Sequence, residues 1–286
     1  MADRTAGDTL TDDENDQLGR ANASGRTPVV FVHGLWLLAG SWDRWIGHFE
    51  DAGYGAVAPS WPNDPPTVAA ARDDPAALAG TSVGDVAEHL EQFVRRLARK
   101  PALIGHSFGG VLTQIVAGRG LAAASVAIDP APHRGVLPLP FSSLRAAFPV
   151  LRNPLNRGRA VGLSYDQFRY AFGNAVDEAE SRRLHEEFSV AAPGKPLFQA
   201  AAANFNPRSE LKVDTKNPAR GPMLIISGEL DHTVPWAISR ATFQRQRRNP
   251  GVTELAEIAG RGHSLTIDSG WREVADTALA FVRRFT

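Results

Sequence analysis

The chain lacks cysteine, an excess of either charge and any long apolar run, and each absence excludes a class of protein. Without cysteine, neither a disulfide framework nor a thiolate metal site can form. No apolar run is long enough to span a bilayer. The 31 basic and 31 acidic residues balance, so we expect neither a nucleic-acid partner nor a membrane partner. The length of 286 residues suits one domain with an inserted subdomain.

The first 26 residues differ in composition from the rest of the chain. They hold a series of acidic residues from Asp3 to Asp16 and almost nothing apolar. This composition predicts a disordered acidic tail over residues 1–26. The alternative is an arm that packs on the partner subunit of a homodimer. The segment lacks the basic and apolar regions of a secretory signal, so we expect a cytoplasmic protein.

The most informative motif is Gly-His-Ser-Phe-Gly at residues 105–109, which fits the pattern G-x-S-x-G. An apolar run at 101–104 precedes it, and a segment typical of a helix follows at 110–117. A serine between a strand and a helix lies on a sharp turn that exposes its oxygen above the sheet edge. We therefore predict that Ser107 is a catalytic nucleophile; the alternative is a tight structural turn.

Short apolar runs alternate with helix-like segments over most of the remaining chain. The runs are residues 29–32, 54–58, 101–104, 124–128, 223–226 and 252–258. Continuous apolar runs of this length are typical of buried parallel strands. The alternation predicts the α/β class, with a doubly wound, mostly parallel sheet covered by helices on both faces.

One interval between Asp129 and Met223 breaks this alternation. It has no convincing buried strand, and its pattern predicts four short helices, at 141–151, 164–172, 176–188 and 196–204. An interval this long inside an α/β domain indicates a subdomain rather than a loop. Because it follows a strand, it should lie above the carboxyl ends of the strands, where ligands bind. We predict a core of residues 27–131 and 216–286, with an inserted helical cap at 132–215.

Two further residues extend the candidate set for nucleophilic catalysis. Asp231 follows an apolar run, and His263 lies in a polar turn before the last helix. A serine hydroxyl is too weakly acidic to attack unaided, so an imidazole must take its proton and a carboxylate must orient the imidazole. The chain order Ser107, Asp231, His263 matches one hydrolase architecture. Asp129 is an alternative acid, or else it caps the entry to the cap subdomain.

These residues and their surroundings resemble the α/β-hydrolase superfamily, in the branch of capped serine esterases, lactonases and non-haem haloperoxidase-like enzymes. The matching segments are His33-Gly34, residues 105–110, residues 228–235 and Gly262-His263. The resemblance implies an oxyanion hole formed by the backbone N–H groups of Leu35 and Phe108. Epoxide hydrolases and haloalkane dehalogenases of this fold carry aspartate where this chain has Ser107. The serine at this position therefore favours an ester-type acyl-enzyme over alkyl-enzyme chemistry.

The resemblance implies a serine hydrolase that cleaves a carboxylic ester or lactone of an apolar small molecule. Trp36, Phe168 and Phe172 are the predicted substrate contacts. We expect no cofactor, and no metal either, because no further ligand stands at metal-site spacing from Asp231 and His232. C–C bond hydrolysis and perhydrolysis use the same triad and stay open as alternatives. A non-catalytic ligand-binding protein of the same fold is an alternative from another class.

Overall fold

Eight strands form two sheets in the computed structural model, which describes residues 10–286. The strands are β1 (Pro28–Val32), β2 (Gly55–Val57), β3 (Ala102–His106), β4 (Ala124–Ile128), β5 (Ala160–Val161), β6 (Ala192–Pro193), β7 (Met223–Gly228) and β8 (Thr253–Ile258). The main sheet has the order β2-β1-β3-β4-β7-β8, and all its neighbours pair in parallel. This confirms the α/β class and a parallel sheet.

Eleven α-helices accompany the strands in the described part of the chain. They are α1 (Asp12–Ala23), α2 (Asp43–Asp51), α3 (Val68–Asp73), α4 (Val83–Arg95), α5 (Phe108–Gly118), α6 (Phe141–Leu151), α7 (Tyr165–Ala171), α8 (Glu178–Phe188), α9 (Lys195–Ala202), α10 (Trp236–Gln246) and α11 (Trp271–Val282). Helices α1, α3 and α10 were not predicted from the sequence. The interval 132–215 holds α6 to α9 and the short antiparallel pair β5–β6.

Strand β1 shows how the sheet divides the core into two layers. Its five residues are all buried, but successive side chains point to opposite faces. Val30 and Val32 join the apolar cluster that contains α4 and α5. Val29 and Phe31 join the cluster that contains α2 and α11. A strand buried on both faces needs no polar alternation, which is why it appears in the sequence as a continuous apolar run.

The strand order places two loops side by side at the carboxyl edge of the sheet. Strand β2 pairs with one side of β1, and β3 pairs with the other side, where Val32 lies opposite Gly105. The chain continues from β1 to β2, away from β3. Ligands bind at such a switch point because the connections diverge there and leave a crevice. The segments that follow β1 and β3 begin with His33 and Ser107, so this edge is where the predicted site residues meet.

The prediction of a disordered tail is wrong for the part of residues 1–26 that the structure describes. Residues 1–9 lie outside the described residues, but α1 follows directly and begins with a capping box between Thr11 and Glu14. Acidic residues fill the first turn, where they interact favourably with the helix dipole. Buried Leu18 and Ala21, three residues apart, attach this polar helix to the core.

Helix α1 packs on its own chain in the structure. Glu14 pairs with His89 of α4 at 2.6 Å, and the side chain of Gln17 accepts a hydrogen bond from the amide of Ala58 at 3.0 Å. Composition alone missed this helix because few apolar residues are needed when polar contacts hold the remaining turns.

Replacing the buried leucine of α1 tests whether the helix belongs to the cooperative core. Leu18→Ala should lower the free energy of unfolding by about 2–5 kcal/mol, the range for truncating a buried leucine. Asp16→Ala, an exposed change on the same helix, should alter it by less than about 0.5 kcal/mol. Urea unfolding followed by circular dichroism measures both. Equal, small effects would show that α1 contributes nothing to the core.

Candidate active site

Ser107 lies on a strained turn between β3 and α5. Its backbone angles are φ 56° and ψ −118°, in a region that non-glycine residues rarely adopt. Such a conformation costs on the order of 1–3 kcal/mol and persists only where surrounding contacts hold it. Here the amide of Ser107 donates to Ile128 at 2.9 Å, and its carbonyl accepts from Ala131 at 2.9 Å. Both contacts come from the end of β4, which fixes the turn.

The glycines of the motif allow this turn to lie close to its neighbours. A Cβ on Gly105 would overlap the carbonyl of Gly109, the second residue of α5. A Cβ on Gly109 would overlap the carbonyl of Val32 at the end of β1. Neither neighbour is a flexible side chain, so larger residues cannot be accommodated at either position. The G-x-S-x-G pattern is therefore a requirement of backbone packing here.

The structure brings the three predicted side chains into one chain of hydrogen bonds. His263 Nε2 lies 3.0 Å from Ser107 Oγ, and His263 Nδ1 lies 2.6 Å from Asp231 Oδ2. All three residues are buried. With the proton on Nδ1, the imidazole donates to the carboxylate and its Nε2 accepts from the serine hydroxyl. This geometry suits transfer of the serine proton to the imidazole.

Asp231 is held by the loop in which it lies. Its Oδ1 accepts from the amides of Thr233 at 2.6 Å and Val234 at 2.8 Å, which leaves Oδ2 for His263. Burial alone would raise the pKa of this carboxyl, but the charge on His263 and these hydrogen bonds outweigh it and lower the pKa below the usual value. Asp231 is therefore ionised and aimed at the imidazole.

Asp129 is a second buried carboxyl beside Asp231. Its Oδ1 accepts from the amide of Gly228 at 2.8 Å, so it does not cap the entry to the cap subdomain. Its Oδ2 has no hydrogen-bond partner among residues 10–286, and the carboxyl lies close enough to Asp231 for the two groups to interact. Burial, reinforced by the negative charge of Asp231, raises the pKa of Asp129 well above the usual value. Of the two buried carboxyls, Asp129 is therefore the one whose protonated form is favoured.

His106 and His263 lie side by side, with ring centroids 4.6 Å apart. Burial, reinforced by the charge that His263 carries when protonated, lowers the pKa of His106 well below the usual value, so this ring is neutral. His106, Asp129 and His263 lie close enough together to hold a metal ion. Both nitrogens of His263 already face Ser107 and Asp231, so a metal there would displace one of them.

The backbone amides of Phe108 and Leu35 are the predicted donors of the oxyanion hole. Phe108 is the first residue of α5, where amides lack a partner within the helix. Neither its amide nor that of Leu35 donates to any residue in the described part of the chain. The segment carrying Leu35 lies against the elbow, because a Cβ on Gly34 would meet Cβ of Ser107 at 2.8 Å.

His33 fixes the segment that carries Leu35. Its Nδ1 lies 3.0 Å from the carbonyl of Gly34 and its Nε2 3.0 Å from Asp64 Oδ2, while its ring stacks on Trp61. Both ring nitrogens of this buried histidine therefore face oxygens, which leaves none for a substrate. Asp64 was not identified from the sequence; the proline- and aspartate-rich loop around it carries no motif.

The end of α7 joins the candidate cap to both loops that carry Asp231 and His263. The rings of Phe172 and His263 meet edge to face with centroids 4.9 Å apart, and the amide of Ser264 donates to the carbonyl of Phe172. On the other loop, Thr233 Oγ1 donates to the carbonyl of Ala171 at 2.7 Å. Displacing this end of α7 would therefore disturb the acid and the base together.

The three predicted substrate contacts take different positions. Trp36 meets Phe172 edge to face at 6.1 Å, and its Nε1 donates to the carbonyl of Val161 at 3.0 Å. The ring of Phe168 stacks parallel to the ring of Phe172, with centroids 5.1 Å apart. Among the described residues, it makes no ring contact with His263. Phe172 and Trp36 thus border the site, whereas Phe168 supports Phe172 from behind.

A cavity of about 410 Å³ lies next to Trp36 rather than over Ser107. It is lined mostly by apolar residues of α3, β5 and the segment after α8, including Ala71, Leu163 and Val190. The amide of Val190 donates to the carbonyl of Trp36, which connects the cavity wall to the loop after β1. Ser107 itself is only 5% exposed.

With this geometry established, sequence and structure comparisons identify the family. Residues 29–277 match the model of the alpha/beta hydrolase family, so the chain belongs to that family. None of the curated proteins matches this chain.

Solved structures of the same fold include several hydrolases. A monoacylglycerol lipase of Paleococcus ferrophilus has a TM-score of 0.63 at 20% identity, over 91% of this chain and 95% of that one. A pyrethroid hydrolase from Sphingobium faniae has a TM-score of 0.62 at 18% identity, over 89% and 96%. A carboxylesterase of Nitrososphaera gargenis has a TM-score of 0.63 at 15% identity, over 92% of each chain. Likeness at these identities establishes the fold.

Substituting each buried carboxyl separates their roles. Asp231→Asn should lower kcat by about 10⁴. The amide oxygen would stay with the amides of Thr233 and Val234, so the NH2 group would face His263, donate to Nδ1 and select the wrong tautomer. Asp129→Asn should cost far less, because an amide can still accept from Gly228 and donate to Asp231. Steady-state hydrolysis of a p-nitrophenyl ester measures both variants.

A second readout distinguishes a protonated Asp129 from an ionised one. A carboxyl with a raised folded-state pKa stabilises the protein below about pH 4 and loses that stability as the pH rises through the folded-state pKa. Wild-type protein should therefore lose unfolding free energy relative to Asp129→Asn as the pH rises above about 4. The larger kcat loss in Asp129→Asn would instead assign the acid role to Asp129.

Proposed function

We propose that the protein is a serine hydrolase that cleaves a carboxylic ester or lactone of an apolar small molecule through an acyl-enzyme. The observation that carries the proposal is the series of hydrogen bonds that joins Ser107 to His263 and His263 to Asp231. Ser107 itself lies on a strained turn. Membership in the alpha/beta hydrolase family supports it. The lipase and esterase neighbours are consistent with an ester substrate, although their low identity carries only the fold.

In the first half of the reaction, Ser107 Oγ forms a bond to the carbonyl carbon of the ester. His263 Nε2 takes the serine proton, and Asp231 stabilises the imidazolium that results. The carbonyl oxygen becomes an oxyanion that accepts from the amides of Phe108 and Leu35. When the tetrahedral intermediate collapses, the C–O bond to the alcohol breaks and His263 returns its proton to the departing oxygen.

In the second half, water hydrolyses the acyl-enzyme. His263 removes a proton from the water while its oxygen bonds to the acyl carbon, and the same two amides hold the second oxyanion. Collapse breaks the bond to Ser107 and returns a proton to its Oγ. The acid product leaves with the enzyme in its starting state, so no cofactor is required by this mechanism.

The surroundings of Ser107 support an apolar substrate. The rings of Trp36 and Phe172 lie at the site, and seven of the eleven residues that line the nearby cavity are apolar. Because Ser107 is almost fully covered, a substrate reaches it only when the candidate cap or the loop of Trp36 moves. We propose that residues 132–215 act as this cap and set substrate preference rather than the chemistry.

Removing the nucleophile tests the proposed mechanism. Ser107→Ala should fold normally and lose about 10⁶ in kcat, since no other group in the series can form the acyl-enzyme. The assay is a panel of p-nitrophenyl esters of different chain length together with lactones. Residual activity above a few per cent of wild type, with contamination excluded, would contradict the assignment. Failure of the wild-type protein to cleave any member would favour a binding function.

Shortening Phe172 tests the proposed substrate contacts. Phe172→Ala should change the ratio of kcat/KM between long and short acyl esters by about 10–200-fold, the range for apolar pocket contacts. Phe168→Ala is the matched control, because Phe168 is equally buried but stacks behind Phe172. It should lower the thermal midpoint and change the ratio less. Equal losses for every chain length in Phe172→Ala would indicate damage to His263 instead.

A further inference from the structure

Exposed apolar side chains are concentrated on one part of the protein. Nine large apolar residues of the described chain are exposed, and seven of them belong to the interval 132–215. We call these seven the apolar cap face: Leu137, Leu139, Phe141, Leu144, Phe148, Leu155 and Phe205. Phe141 is 80% exposed and Phe205 90%, so these rings project into solvent rather than line a groove. The elements that carry these residues are neighbours, because α6 contacts α9 and the turn at Pro154–Gly158, and Asn204 bonds to Gly135 and Val136. Clusters of exposed apolar residues mark interaction sites.

Helix α6 organises the apolar cap face. Phe141, Leu144 and Phe148 follow one another at intervals of three and four residues, so they form a single stripe along α6. The opposite side of the same helix is buried through Ala146 and Val150. The helix is therefore apolar on both sides, and packing within the chain covers only one of them.

The segment that carries six of these seven residues has charges of one sign only. The sequence has no Asp or Glu between Asp129 and Asp166, a stretch that contains five arginines. Arg152, Arg157 and Arg159 are exposed, and none of them takes part in an ion pair with any described residue. Arg145 lies over the ring of Tyr170 at 3.9 Å. In a chain whose total charge is zero, this local excess is balanced elsewhere.

The combination identifies the partner by its chemistry. A second copy of the chain docked through the same face would place arginines against arginines, because a two-fold interface is self-complementary. Apolar side chains that project among unpaired arginines instead fit a partner with a negatively charged outer layer and an apolar interior. A bilayer with anionic headgroups has this arrangement, and its fluid interior accepts projecting rings without a shaped pocket.

We propose that the apolar cap face docks on anionic lipid surfaces, with α6 lying in the interface and the arginines against the headgroups. The contact is peripheral in this proposal, since no described helix is long and apolar enough to cross a membrane. Balanced total charge concealed this surface in the sequence, where a membrane partner was not expected. The proposal concerns binding alone and holds or fails independently of the reaction proposed for Ser107.

Sedimentation with vesicles tests the proposal on the full chain carrying Ser107→Ala, which separates binding from turnover. The protein should partition onto vesicles of phosphatidylcholine mixed with phosphatidylglycerol and much less onto phosphatidylcholine alone. High salt should weaken the partition, because exposed charges are screened. Arg152→Gln with Arg157→Gln should lower the partition coefficient by about 25-fold, at about fivefold for each arginine. Phe141→Ser with Phe148→Ser should lower it by at least about tenfold.

A matched control uses the opposite edge of the sheet. Arg99 and Lys100 are exposed and directly precede β3, at the amino ends of the strands, so Arg99→Gln with Lys100→Gln removes the same charge away from the cap. This control should bind like the parent protein. Binding that is absent, insensitive to anionic lipid, or equally reduced in control and cap variants would overturn the proposal. So would a stable dimer that the two Phe→Ser changes dissociate, because the face would then be covered.

Discussion

The close approach of the Ser107 turn to the end of β1 is the constraint on which the candidate site depends. Gly109 lies against the carbonyl of Val32, and Gly34 lies against Ser107 itself. This contact brings the amide of Leu35 toward the nucleophile and starts α5 with the free amide of Phe108. The hydrogen bonds from Ser107 to Ile128 and Ala131 hold the strained backbone in place. Three chemical groups are thus positioned by backbone packing before any side-chain interaction is considered.

The remaining groups, Asp231 and His263, lie on two loops that the end of α7 holds together. Asp231 and His263 follow β7 and β8, which lie at the far side of the sheet from β1. The end of α7 contacts both of their loops, through Ala171 on one and Phe172 on the other. Displacement of the end of α7 and the alignment of Asp231 with His263 are therefore linked in this fold.

The parts that the sequence predicted well are those with strong local constraints. The Ser107 turn was recognisable because only glycine fits beside it, and the buried strands were recognisable because burial on both faces produces continuous apolar runs. The sequence order also indicated Asp231 and His263, which the structure brings together with Ser107. Their catalytic roles stay a proposal.

Features that depend on long-range contacts could not be predicted. Helix α1 is attached by two buried residues and by polar contacts to His89 and Ala58, none of which produces a local pattern. The raised pKa of Asp129 arises from its burial and from its contact with Asp231, about a hundred residues later in the chain. The grouping of exposed apolar residues with arginines depends on which side of α6 the core covers. The overall composition does not show such a surface, because its residues are counted together with those of the whole chain.

The central claim, that Ser107 is an activated nucleophile, is tested most directly by covalent labelling. Folded protein treated with a fluorophosphonate and digested should carry one phosphonyl adduct, located by tandem mass spectrometry on Ser107. Denatured protein should carry none, because a serine without His263 and Asp231 beside it is unreactive. A folded protein that stays unlabelled, or an adduct on any other serine, would contradict the account.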